Sequence, residues 1–373
     1  MQLLERARAL EAAGHDIVHM EIGEPDFAAP GAATQAAREA LDRGEGHYTP
    51  STGLPVLKDA LSNWYGSEYG VSVAPERILI TPGTSGAFLA LYLVLLESGN
   101  TVLLPDPGYP CQRNFVRLAG GEPVNIPVGP DSRYHLNASH LAEHWRDETR
   151  AAVVTSPGNP TGTLIKPGDL EETAYFCRQR GGYLISDEIY HGLTYGERGV
   201  CALTLSDHAI IVNGFSKRWA MTGWRVGWMV VPEALIDPCR RVMQNIFISA
   251  PTLSQYAALG ALGGELEDMC DAYDERRRYL LEALPPLGFE VAVTPRGAFY
   301  VYAGTGPWGD SAALCHRLLE EAGVAVTPGA DFGDYRAAEH VRLSYATSLS
   351  RLQLGIERMT RYLKGETPPQ SAG

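Results

Sequence analysis

Through the middle of the chain the apolar positions come in short continuous runs, not in alternation. Residues 78–81 (ILIT), 101–104 (TVLL), 151–155 (AAVVT), 183–186 (YLIS), 209–213 (AIIVN) and 226–231 (VGWMVV) all have this form. Strands covered on both faces inside a parallel sheet have this pattern. Helical stretches separate them, one running from about Ser85 to Glu97. Strand–helix alternation predicts an α/β fold with a doubly wound, mostly parallel sheet.

After about residue 270 the pattern changes. A charged helix over 269–284 leads to a strand over 289–293, a Thr-Pro-Arg-Gly turn and a strand over 298–302. A helix over 311–322 and a last strand over 340–345 follow. This reads as a smaller α+β domain. The expected division is a segment 1–36 contributing to the small domain, a large domain 37–272 and the small domain 273–364. The Pro-, Ser- and Gly-rich tail 365–373 is expected to be disordered.

Composition narrows the function classes. With 373 residues there is material for one large α/β domain and a smaller partner. Against 31 basic residues stand 44 acidic ones, a net charge of −13. Nucleic acid and anionic membranes need a basic surface, so neither is an expected partner. A local basic pocket for a small anion is still compatible with that balance. The longest apolar run, 87–96, is too short to span a bilayer. The N-terminal MQLLERARALEAAGHD is a charged amphipathic helix, unlike a signal peptide, so the expected location is the cytoplasm. Cys111, Cys177, Cys201, Cys239, Cys270 and Cys315 form no C-x-x-C pair and are expected to be reduced, buried thiols.

In parallel sheets, ligands bind beyond the carboxyl ends of the strands. Four of the strands run into polar clusters there: Pro82-Gly83-Thr84-Ser85-Gly86, Ser156-Pro157-Gly158-Asn159-Pro160-Thr161-Gly162, Asp187-Glu188-Ile189-Tyr190 and Gly214-Phe215-Ser216-Lys217. A parallel sheet brings them to one rim. Gly83, Thr84 and Ser85 at a helix start suit a phosphate, though Ser and Thr are also ordinary caps, and the nucleotide P-loop pattern is absent. Asp187 after an apolar strand either caps a helix or pairs with a cation. Lys217 closes a buried strand, where loss of water lowers an amine's pKa and makes it a nucleophile. Arg225 lies between glycines, and its other reading is a structural ion pair. Arg342 alternates with Val341 and Leu343 and so points to the opposite face. Its two-donor fork there matches a carboxylate.

The segments IGEPDF (22–27), SPGNPTG (156–162), DEIY (187–190), SKRWAMTGWRVGW (216–228) and VRLSYA (341–346) occur in an order that resembles the aminotransferase class I/II family of fold-type-I pyridoxal-phosphate enzymes. The resemblance covers nearly the whole chain. It implies that Lys217 binds pyridoxal 5'-phosphate covalently and shuttles the proton at the substrate α-carbon. Asp187 would pair with the pyridinium nitrogen, and Tyr190 and Asn159 would hydrogen-bond the ring hydroxyl. Gly83, Thr84, Ser85, Ser216 and Arg225 would hold the phosphate, and Tyr109 would stack on the ring. Tyr48 would reach the phosphate of a partner subunit, which implies a homodimer with a shared site. Arg342 would clamp the substrate carboxylate, assisted by Asn159 and the backbone at Gly23.

The substrates so implied are an L-amino acid and a 2-oxo acid. A β-lyase cleaving C–S bonds would use the same constellation, and a regulator domain on this fold would carry a fused DNA-binding segment. Three features depart from the pattern. Gly214 stands where several subgroups have a hydroxyl residue, the arm before IGEPDF is short, and no second arginine for a side-chain carboxylate is visible.

Overall fold

The computed structural model describes residues 2–263 and 267–365. Seven strands form the main sheet: β2 (Ile78–Thr81), β3 (Thr101–Asp106), β4 (Glu122–Pro127), β5 (Thr149–Thr155), β6 (Tyr183–Asp187), β7 (Ile210–Gly214) and β8 (Gly227–Val230). Their order is β2-β8-β7-β6-β5-β3-β4. Six run the same way, while β8 is antiparallel to both its neighbours.

The continuous apolar runs follow from burial on both faces. Leu79, Val102, Leu104, Val153, Ile185, Ile210 and Val212 pack on one side under α4 (Gly83–Leu95), α5 (Cys111–Leu118) and α8 (Glu233–Ile246). Their neighbours Ile78, Ile80, Leu103, Val154, Leu184 and Ile211 pack on the other, toward α3 (Pro55–Tyr69), α7 (Pro167–Gln179) and α9 (Thr252–Ala261).

A second core gathers chain from both ends. β1 (Val18–His19) pairs in parallel with β10 (Val324–Ala325), and β11 (Thr327–Pro328), β12 (His340–Ser344) and β9 (Tyr300–Gly304) form an antiparallel sheet in the order β11-β12-β9. Around them pack α10 (Glu267–Ala283), α11 (Ser311–Ala322) and α12 (Leu349–Leu363), with α1 (Gln2–Ala12) against Ile17 and Leu319. Ile189, Tyr190, Leu193 and Tyr195 also belong to this core. The chain therefore crosses from one core to the other directly after Asp187.

Several expectations need correction. Residues 289–293 form no strand, because only Glu290 pairs, in a single bridge with Gly304. β9 begins two residues later than expected, at Tyr300, because Ala298 takes φ +56° in a turn and donates its N–H to Leu193. β4 went unrecognised because Pro123 and Pro127 read as strand breakers. It is an edge strand, where a missing donor is tolerated. Cys111 and Cys270 are only half-buried, while the other four thiols are buried as expected. Of the tail expected to be disordered, 366–373 lie outside the described residues. Among the described residues no helix is long and apolar enough to cross a membrane.

At the end of β3, the buried Asp106 carboxylate accepts the backbone N–H groups of Asp334 (3.0 Å) and Tyr335 (3.3 Å). Gly108 donates to the Phe332 carbonyl at 2.9 Å beside it. Asp106→Ala leaves these N–H groups without their acceptor. The variant is expected to be about 2 kcal/mol less stable, read as a lower urea midpoint.

Candidate active site

The carboxyl ends of β2, β5, β6 and β7 lie on one rim of the sheet, because these strands run in one direction. The rim has an anion corner. Gly83, at φ +70°, opens α4, so the expected loop is in fact the helix's first turn. The backbone N–H groups of such a turn have no acceptor within the helix. A Cβ on Gly83 would stand 2.5 Å from Nη2 of Arg225, so only glycine lets the guanidinium lie on this turn. Arg225 itself takes φ +53° and donates Nη1–H to the Thr222 carbonyl at 2.8 Å. A helix N-terminus and an exposed guanidinium together favour an anion. Thr84 and Ser85 follow in the same turn, and Ser216 is buried just past β7. At Gly214 a Cβ would meet the Thr84 methyl at 3.2 Å and Ile189 Cδ1 at 3.3 Å. The Thr84 side chain thus occupies the space next to the missing hydroxyl.

Asp187 ends β6 at 4% exposure, and no helix follows it, so it caps none. Its Oδ1 accepts the Ile189 N–H at 3.2 Å, and among the described residues no cation stands at ion-pair distance from it. Burial pushes the carboxyl up to about 7, against the pull of the Ile189 N–H and the Lys217 charge. Lys217 donates from Nζ to the Gly23 carbonyl at 2.6 Å. Burial lowers this amine to about 8; Glu24 opposes the shift, and Arg342 and Arg225 add to it.

Arg342 is only 7% exposed, so its strand face is not a solvated one. Its guanidinium carbon lies 4.4 Å from the Tyr300 ring centre and 4.8 Å from that of Phe332. Nη1 donates to Asn159 Oδ1 at 3.0 Å, Nη2 donates to the Glu21 carbonyl at 2.6 Å, and Nε has no partner. Val341 and Leu343 pack in the second core as the alternation requires. A Cβ on Gly23 would lie 3.8 Å from Arg342 Nη1 and 2.7 Å from the Tyr300 hydroxyl, which bonds Tyr190 at 2.9 Å. Lys217, Gly23, Arg342, Asn159, Tyr300 and Tyr190 thus form one contact chain. Tyr109 is half-buried near Asp187, its hydroxyl pushed up chiefly by burial. Tyr48 is 79% exposed, and no hydrogen bond links it to the others.

Sequence reasoning missed Tyr300 and Glu188. Tyr300 faces the same way as Arg342 across β9 and β12; it lay within the expected strand 298–302, but nothing local to that strand says that it pairs with β12. Glu188 is fully buried, with Oε1 accepting from Ser186 Oγ (3.1 Å) and the Ala202 N–H (2.8 Å). Its carboxyl is also pushed up to about 7, chiefly by burial.

The sequence profile described as aminotransferase class I and II matches residues 15–359. The chain belongs to this family. It is 38% identical to the valine–pyruvate aminotransferase of Mycobacterium tuberculosis, over 94% of this chain and 92% of that one. It is also 38% identical to the (5-formylfuran-3-yl)methyl phosphate transaminase of Methanocaldococcus jannaschii, over 97% and 96%. The crystal structure of an aminotransferase from Mycobacterium tuberculosis superposes with a TM-score of 0.94 at 38% identity, covering 98% of this chain and 96% of that one. The class I and II aminotransferase fold expected from the motifs is therefore the fold observed, and the protein is an enzyme that transfers amino groups.

Because Asp187 binds its proton up to about 7 when folded but only to its ordinary value when unfolded, it favours the cofactor-free fold below about 4. That contribution is lost as pH rises through about 7. Asp187→Asn in cofactor-free protein should match the parent in stability near pH 4 and exceed it by about 4 kcal/mol at pH 8. Urea midpoints across pH measure this, and a parallel pH dependence in both proteins would contradict it.

Proposed function

We propose that the protein is a pyridoxal-phosphate-dependent aminotransferase exchanging the amino group of an L-amino acid with a 2-oxo acid. The observation that carries this reading is the buried Asp187 carboxyl, without a cation at ion-pair distance among the described residues, on the same rim as a half-buried lysine and an anion corner. These residues fit the cofactor. The Gly83–Arg225 cradle suits its phosphate, the lone carboxyl suits a ring nitrogen that carries a proton, and the amine of Lys217 suits its aldehyde. When bound, the cofactor supplies an electron sink for the bond broken at the substrate α-carbon.

The chain's own groups do the rest. Gly83, Thr84, Ser85, Ser216 and Arg225 would hold the phosphate. Asp187 would keep the ring nitrogen protonated. Tyr190 and Asn159 would serve the ring hydroxyl, and Tyr109 the ring face. Lys217, lowered to about 8, keeps a useful neutral fraction and moves the proton at the substrate α-carbon. Arg342 receives the substrate carboxylate, with Asn159 and Gly23 at its side. Orientation by these fixed groups is the protein's main contribution.

The exposed Tyr48 fits a tyrosine that completes the phosphate site of a second subunit, in a homodimer working in the cytoplasm. The same reading keeps the division of the chain into the segment 1–36, a large domain 37–272 and a small domain 273–364. The names of the relatives differ in substrate, so the amino donor is read from experiment. Holoenzyme mixed with each L-amino acid in turn should change its visible spectrum with donors only, and an added 2-oxo acid should restore it.

Lys217→Ala should lose at least about a thousandfold in turnover. It should also retain no cofactor mass after borohydride treatment and denaturation. Turnover kept near the parent rate in that variant would refute the assignment of Lys217. Release of ammonia and thiol without any 2-oxo acid would replace transamination by β-elimination.

A further inference from the structure

Arg342 depends on a segment 321 residues away in sequence. β1 continues past His19 between β10 and β12: Met20 donates its N–H to Ala325 at 2.9 Å, and its carbonyl accepts from Ser344 at 2.7 Å. Two carbonyls of this segment hold two of the site's cations, Arg342 and Lys217. That of Glu21 meets Arg342 Nη2 at 2.6 Å and Thr327 Oγ1 at 3.3 Å, and that of Gly23 meets Lys217 Nζ at 2.6 Å.

The same segment carries an ion pair that none of the roles above uses. Glu21 is buried, with Oε1 2.6 Å from His19 Nδ1 and Oε2 without a partner. His19 Nε2 lies 3.0 Å from Glu11 of α1. β10 offers only Val324 and Ala325 along β1. From α12, Arg351 and Arg358 are taken up by Asp16 and by the carbonyls of Ile17 and Asp16. From β12 comes Arg342 itself, bound to the Glu21 carbonyl and not to its carboxylate. Among the described residues His19 is the one cation within ion-pair distance of Glu21.

We propose that the His19–Glu21 pair is a positioning element for Arg342, fixing where the Glu21 carbonyl meets Nη2 and thereby setting the affinity for the substrate carboxylate. This rests on the reading of Arg342 as the carboxylate clamp. A buried carboxylate that loses its imidazolium partner is an uncompensated charge. The segment then shifts toward water, and the carbonyl contact to Arg342 shifts with it. Hydrogen bonding to Glu21 is the main reason His19 is held protonated up to about 9, so the pair is intact at neutral pH and opens above that value.

The test compares parent holoenzyme with Glu21→Gln, His19→Gln and the double variant. KM for the amino acid and the dissociation constant of an unreactive carboxylic acid, read from the cofactor's visible spectrum, should rise about fivefold to tenfold in His19→Gln, which strands the carboxylate, and less in Glu21→Gln, which leaves no buried charge. kcat should fall by less than KM rises, because the pair lies beside the Glu21 carbonyl and two residues before the Gly23 carbonyl that holds Lys217. The parent's KM should climb as pH passes about 9, and this climb should vanish in both single variants. The double variant restores a neutral hydrogen-bonded pair and should recover most of the affinity. Unchanged KM in both single variants, or kcat falling in step with KM, overturns the proposal. If the parent turns over no amino acid, the aminotransferase reading fails, while the carboxylic acid titration still decides whether the pair positions Arg342.

Discussion

Asp187 sits at the carboxyl end of β6 with one backbone N–H as its partner, out of water and with no cation in ion-pair reach among the described residues. An isolated buried carboxylate is costly, and the group responds by holding its proton. Its surroundings follow from where it stands. The parallel strands direct the neighbouring loops to the same rim, and the chain leaves for the second core at the next residues. Lys217 is shifted in the opposite sense by the same loss of water. An acid raised to about 7 and an amine lowered to about 8 both titrate near neutral pH in the cofactor-free fold. Such a site is set to gain from a cation arriving at Asp187, since ion pairing would replace the missing water.

The large sheet was legible because burial on both faces leaves a plain mark, runs of branched aliphatic residues without alternation. The rim was legible for the same reason: once the strands are taken as parallel, the residues after each strand must converge. Lys217, Asp187, Asn159 and Gly83 needed no contact information. The reversal of β8 left no such mark, since a strand buried on both faces has the same composition in either direction. β4 was hidden by its prolines, which an edge position excuses.

The second core was harder to read because its pairings are long in sequence and its strands short. β1, β10 and β11 have two residues each, below the length at which a pattern can be recognised. Arg342 was found by alternation in β12, yet its partners come from residues 21, 159, 300, 327 and 332. Nothing local to VRLSYA encodes that set. Tyr300 lay inside the expected strand 298–302 and was missed because the pairing of that strand with β12, which puts it on the face of Arg342, is not encoded locally.

Those partners explain how a guanidinium can be buried and still be available. Two aromatic rings cover its faces, a carbonyl and an amide oxygen take donors on its edge, and Nε is left over. Covering the faces removes water without satisfying the donors, which strengthens any carboxylate that reaches the edge. The carbonyl of Glu21 belongs to a segment that also meets Lys217 through Gly23. Arg342 and Lys217 are therefore tied to one strand extension of the second core, while Asp187 and the anion corner belong to the first. A displacement of one core against the other would move Lys217's carbonyl partner and Arg342 together relative to Asp187. At the end of β3 the Asp106 carboxylate holds the backbone of Asp334 and Tyr335, so the loop between β11 and β12 that brings Phe332 to Arg342 is tied to the large sheet.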